Sequence, residues 1–170
     1  MADTYRANRC DGPRPVRSYE RGCGVRVYLD NCCYNRPFDN HGNMVVALEA
    51  LAKLQIQAMM HEGKIEYVWS DILTCEVAEN PFLERRESIL SWAGNAVAYV
   101  RSTNEVLERG RELQKLGLKA KDALHVASAE IAHCDWLITT DRGITKKIQT
   151  LGDMTIGNPM SFITQEASYE

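Results

Sequence analysis

The chain has 170 residues, of which 45% are hydrophobic and 25% charged, with a formal net charge of −3 and a pI near 5.8. That is the size and mix of one soluble globular domain, with a core large enough to need no disulfide staple. The mild acidity excludes a general nucleic-acid coat, which would be strongly basic, but leaves room for a nuclease whose own carboxylates hold metal.

Residues 1–24 carry five arginines, three acids and two prolines without hydrophobic periodicity, a local charge of +2 that leaves −5 for the rest. Such a segment is expected to be a flexible or non-core terminus, with an arm that touches a phosphate backbone as the less favoured reading, and residues 25–170 to form the domain. The six cysteines make no C-x-x-C pair or zinc-type spacing, and the adjacent Cys32 and Cys33 read as buried apolar residues. Free thiols, no apolar run of membrane-spanning length and no secretory leader together predict a cytoplasmic protein that does not enter membranes.

Order is expected to begin with VRVYLD, residues 25–30, a buried strand ending on Asp30. The following NCCYNRPFDN has loop chemistry. Val45, Leu48, Leu51, Ala52, Ile56 and Met59 then recur at helical spacing as far as Gly63. IEYVWS, residues 65–70, predicts a second strand, and a short helix after it carries Glu76. Asn80-Pro81 reads as a cap and first position of a helix reaching Trp92, with a further helical piece over 96–101. Asn104 opens a helix ending near Gly117, and another runs from Ala120 to Ala132. DWLITTD predicts a third strand ending at Asp141; a short helix over 142–150 and a strand over Met154–Gly157 complete the chain.

Strands alternating with helices predict a parallel sheet covered on both faces, with ligands beyond the carboxyl ends of the strands. Asp30 and Asp141 stand where apolar strands run out; Glu76 and Asp122 stand near helix starts. All four therefore have a route to one edge of the sheet. Two carboxylates about 4 Å apart repel by roughly 4 kcal/mol at an effective dielectric near 20, so a cluster needs protons, a basic partner or a cation. Hard oxygen donors suit Mg²⁺ or Mn²⁺. Taken singly, Asp30 and Asp141 read better as turn residues, Asp122 equally well as a helix cap or dipole partner, and Glu76 as a solvated helix residue.

At these positions the sequence resembles the PIN-domain family, which includes VapC-type toxins. VYLDNCCYNRPFD resembles its opening strand with the first acid, SDILTCEVAENP the segment with the second, LKAKDALHVASAE the helix with the third, and DWLITTDRGITKK the turn with the fourth. NPMSFI resembles the close of a PIN subgroup whose first loop carries the same NRPFD. The resemblance implies an α/β, PIN-like three-layer sandwich with a central parallel sheet flanked by helices. It implies a Mg²⁺- or Mn²⁺-dependent endoribonuclease, with Asp30, Asp122 and Asp141 on the metal and Glu76 completing the site or helping to activate water. It also implies an RNA substrate, a homodimer and a protein antitoxin as partners.

Arg36, Asn31 and Thr140 are candidate substrate contacts, and Thr139 is expected to shape the turn before Asp141, where a hydroxyl could also orient a metal-bound water. Glu49 competes with Glu76 for the second acid, Asp39 reads as a loop cap, and Arg142, Lys146 and Lys147 read as solvated. His125, three residues after Asp122, reads as a packed or surface histidine, with a phosphate contact as the less favoured role. Two other functions compete. One is a PIN-like RNA- or protein-binding module without chemistry. The other is a haloacid dehalogenase-type phosphohydrolase, disfavoured because Asp30-Asn31-Cys32 lacks its D-x-D motif.

Overall fold

The computed structural model describes residues 24–40 and 42–166, and the expectation for residues 1–24 falls, apart from Gly24, outside them. Within that span the apolar runs become strands of one sheet. They are β1 (Arg26–Leu29), β2 (Glu66–Ser70), β3 (Ala98–Val100), β4 (Trp136–Ile138), β5 (Thr150–Leu151) and β6 (Met154–Gly157). The helices are α1 (Asn31–Asn35), α2 (Met44–His61), α3 (Asp71–Ala78), α4 (Leu83–Leu90), α5 (Asn104–Gln114), α6 (Ala120–Ile131), α7 (Arg142–Thr145) and α8 (Pro159–Glu166). The sheet order is β3-β2-β1-β4-β6-β5, parallel throughout except for the short β5, which runs against β6.

Every residue of β1 is buried, as a central parallel strand covered on both faces requires. Side chains alternate along a strand, and partners in register share a face. Val27 and Leu29 therefore face one way with Trp136 and Ile138, while Tyr28 faces the other way with Leu137 and Val68. On the first face Phe162 of α8 meets the edge of Trp136 with ring centroids 5.3 Å apart, and α2 packs beside α8. On the second face His125 of α6 meets Tyr28, and α5 packs along α6. Two helical layers thus enclose the sheet, the α/β sandwich anticipated from the alternation. Among the described residues no helix is long and apolar enough to cross a membrane.

Five local expectations are corrected. NCCYN, expected as loop, forms α1 before Pro37, and the helix expected over 142–150 stops at Thr145, with Thr150–Leu151 pairing with β6 as β5. Residues 96–101 form no helix: Val97 N donates to Tyr67 O at 3.0 Å and Ala98–Val100 joins β2 as an edge strand, because β2 leaves a row of backbone groups to pair. Asn80 caps no helix directly. Its Oδ1 accepts from Phe82 N at 3.0 Å, the regular helix starts at Leu83, and a 3-10 turn over Ser91–Asn95 replaces its last stretch. The chain also continues past β6 into α8, started by Asn158, whose Oδ1 accepts from Ser161 N at 2.8 Å, with Pro159 in the first helical position.

Candidate active site

β2, β1 and β4 lie side by side and parallel, so their carboxyl ends open on one edge. Asp30 follows β1 directly. β2 ends on Ser70, whose Oγ accepts from Leu73 N at 3.3 Å and so starts α3, the helix that carries Glu76. β4 is followed by Thr139, Thr140 and Asp141, and Asp122 sits in the first turn of α6. Asp30, Glu76 and His125 each present a ligand atom within 4.8 Å of the others. His125 Nε2 lies 2.8 Å from Glu76 Oε2 and 3.4 Å from Asp30 Oδ1.

The turn after β4 is tied to Asp30. Thr139, fully buried, donates its hydroxyl to Asp30 Oδ2 at 2.7 Å and accepts from Asp141 N at 3.0 Å. The Cys32 thiol donates to the same Asp30 oxygen at 3.2 Å and receives Thr140 N at 3.3 Å. Asp141 caps α7 by accepting from Gly143 N, an approach close enough that a Cβ at 143 would stand 2.9 Å from Asp141 Oδ1.

Electrostatics link these groups further. Partial burial, then the negative charges of Asp141 and Asp30, raise the pKa of Asp122 above the ordinary aspartate value. Burial opposes a charge on His125, yet the Asp30 and Glu76 carboxylates outweigh it and raise its pKa. Oxygen-rich donors whose own repulsion favours protonation fit a hard divalent cation, which relieves that repulsion without a proton.

The remaining candidates are placed differently. Arg36 is held by Asp39 at 3.0 Å and Glu49 at 3.2 Å, so Glu49 is paired there and stands outside the Asp30–Glu76–His125 group. Asn31 Oδ1 accepts from Asn35 at 3.0 Å, and Asn31 lines, with Glu76, a cleft of about 340 Å³ that reaches Phe82 and Arg85. The Thr140 hydroxyl is buried without a hydrogen-bond partner among the described residues. Cys33 is buried as expected, but Cys32 is only half-buried and belongs to the site.

The chain matches no protein-family model and no curated protein. A solved structure of VapBC2 from Rickettsia felis, bound to a DNA fragment from the promoter, contains a chain that superposes with a TM-score of 0.51 at 14% identity. The match covers 79% of this chain and 98% of that one. The likeness is one of fold. It agrees with the PIN-like architecture implied by the four sequence segments.

Sequence reading undervalued His125 and passed over Tyr28 and Arg85. Arg85 lies 4.2 Å from the Phe82 ring centroid and 5.2 Å from that of Phe38, a cation held between two exposed aromatics at the mouth of the cleft. Only one signal pointed to His125: it follows Asp122 by one helical turn, so both emerge on neighbouring parts of the same helix surface.

Proposed function

We propose that the chain is a Mg²⁺- or Mn²⁺-dependent endoribonuclease of the PIN type, with Asp30, Glu76, Asp122 and Asp141 as its acidic site. The observation that carries this reading is that Asp30, directly after β1, and Glu76, on the helix that follows β2, stand with His125 within 4.8 Å. Asp122 and Asp141 lie outside that group and are linked to Asp30 by the charges that raise the Asp122 pKa and by the Thr139 hydroxyl. Asp30, Asp122 and Asp141 are the groups that would hold the cation, and Glu76 would complete the site or take a proton from the attacking water. A bound divalent cation supplies positive charge to the scissile phosphate and makes its water more acidic. Thr139 and the cap on α7 keep Asp30 and Asp141 in place while substrate enters. Asn31 and Thr140 border the site as candidate substrate contacts, whereas Arg36 would have to leave Asp39 and Glu49 to reach a phosphate.

A toxin role, with a protein antitoxin and a homodimer, belongs to the same proposal. Large exposed apolar side chains, Met44, Leu51 and Leu54 on α2 with Phe82 and Leu83 at the start of α4, give such partners a surface to cover.

The test is cleavage of a total-RNA pool by the purified chain with Mg²⁺ or Mn²⁺, beside Asp30→Asn. The expected result is discrete products from the wild type alone, stopped by EDTA and restored by either metal. Cleavage that survives both EDTA and Asp30→Asn would refute the site. A folded wild type that neither cleaves RNA nor binds Mg²⁺ by calorimetry would favour the non-catalytic binding module instead.

A further inference from the structure

We infer that His125 is a positioning residue of the acidic site: its Nε2–H, oriented by a buried relay from Ser70 through Tyr28, holds the Glu76 carboxylate beside Asp30. The inference rests on reading that cluster as the cation site. It concerns a residue that orients a ligand without being one.

The relay is continuous and enclosed. Ser70 and Tyr28 are fully buried and His125 is 2% exposed. Leu73 N reaches Ser70 Oγ at 3.3 Å, Ser70 Oγ lies 2.6 Å from the Tyr28 hydroxyl, that hydroxyl 2.8 Å from His125 Nδ1, and His125 Nε2 2.8 Å from Glu76 Oε2. The fold accounts for the alignment. Val68 pairs with Tyr28 in register, so Ser70, two residues on, shares the face of Tyr28, and α6 covers that face with His125.

The direction of each hydrogen follows from what its ends can do. A backbone N–H only donates, so Ser70 Oγ accepts from Leu73. An ionised Glu76 only accepts, so His125 Nε2 carries a hydrogen. In the neutral imidazole Nδ1 is then an acceptor, Tyr28 donates to it, and the Tyr28 oxygen accepts from Ser70. Every hydrogen in the chain has an acceptor. Reversing the order puts a bare Nε2 lone pair against the carboxylate and leaves the Ser70 hydrogen without an acceptor among the described contacts. An imidazolium also presents Nε2–H to Glu76, so the position of that proton does not depend on the charge of the ring.

A cation could use Nε2 only by displacing this proton, so the imidazole serves the site by holding its carboxylate. Glu76 needs holding. Its side chain has three rotatable bonds, and Lys121 Nζ stands 3.8 Å from its other oxygen, on the solvent side. The bond from below fixes the carboxylate toward Asp30 before a cation or substrate arrives.

The test uses the full chain labelled with ¹⁵N-histidine, with His125 assigned by the signal lost in His125→Gln. Long-range ¹H–¹⁵N spectra are recorded without metal and with saturating Mg²⁺. The expected result is a protonated Nε2 in both states. An unprotonated Nε2 without metal, or loss of its proton on adding Mg²⁺, would overturn the inference. Calorimetry supplies the second readout: His125→Leu should weaken Mg²⁺ binding by roughly 10- to 100-fold, and His125→Gln, which keeps an N–H donor, should recover most of that loss. Wild-type affinity in a folded His125→Leu, or a Gln variant as weak as Leu, would also overturn it. Tyr28→Phe keeps the packing and removes only the hydroxyl; Nε2 should stay protonated against Glu76 while the Nδ1 signal shifts as it loses its donor, and an unchanged Nδ1 signal would exclude the relay. The metal-free spectra decide the relay by themselves, so a wild type that binds no Mg²⁺ would refute the cation site separately.

Discussion

Thr139→Val changes almost no volume and removes one hydroxyl from the centre of the site. That hydroxyl donates to the Asp30 carboxylate at 2.7 Å and accepts the Asp141 N–H at 3.0 Å, inside a residue with no exposed surface. A hydrogen bond to a charged group contributes about 1.5–3 kcal/mol, and an orphaned buried N–H costs about 1–3 kcal/mol. Asp30 keeps the Cys32 thiol at 3.2 Å, which softens the loss. The expected destabilisation is therefore about 2–4 kcal/mol. For a chain of this length each kcal/mol moves the melting temperature by roughly 2–4 °C, so Thr139→Val should melt roughly 5–15 °C lower. Thr139→Ser keeps the hydroxyl and loses one methyl, so it should lose only about 1 kcal/mol. The assay is urea and thermal unfolding of the metal-free protein, with RNA cleavage alongside. A Val variant within about 1 kcal/mol of wild type, or a Ser variant as unstable as Val, would refute the account of Thr139 as the tie between Asp30 and Asp141.

Three further outcomes test other parts of the structure. Gly143→Ala places a Cβ 2.9 Å from Asp141 Oδ1, so the carboxylate must shift; cleavage should fall by about tenfold or more while urea unfolding barely changes. Wild-type cleavage by this variant would mean that the cap on α7 is irrelevant to the site. Lys53 is 3% exposed, lies 5.4 Å over the Tyr34 ring, and burial pushes its pKa down from 10.5 to about 8. Below about pH 8 the folded chain bears the full cost of that charge; the cost fades as pH rises to 10.5, where the unfolded lysine also loses its proton. Lys53→Met should therefore be more stable near neutral pH by about 1–3 kcal/mol, after allowing for the lost cation–π contact, with an advantage that shrinks through that window. A gain independent of pH in urea unfolding would contradict the burial argument. Deleting residues 1–24 should leave RNA cleavage unchanged, and a folded product without activity would show that the arm takes part in the chemistry.

The strands that position the site were legible because a central parallel strand must be apolar along its length. VRVYLD, IEYVWS and DWLITTD have that character, and they became β1, β2 and β4. The edge strand β3 was not legible, since three residues are too few to show a strand period and they pair only because β2 offers them partners. α8 was missed for a related reason: its apolar face acquires meaning only when Phe162 finds Trp136.

The sequence alone determined the alternating α/β architecture and the places of Asp30 and Asp141 after strands and of Asp122 at a helix start, because strand burial and helix spacing are local patterns written in neighbouring residues, whereas Glu76, expected near a helix start, stands in the last turn of α3. Tertiary structure decided which of them touch. It joined Thr139 to Asp30 across 109 residues, Tyr28 to His125 across 97 and His125 to Glu76 across 49. It also committed Arg36 to Asp39 and Glu49 and brought Cys32 against Asp30. Contacts between residues so far apart leave no local period in the chain, since they depend on strand order and register, which become definite only when the sheet assembles.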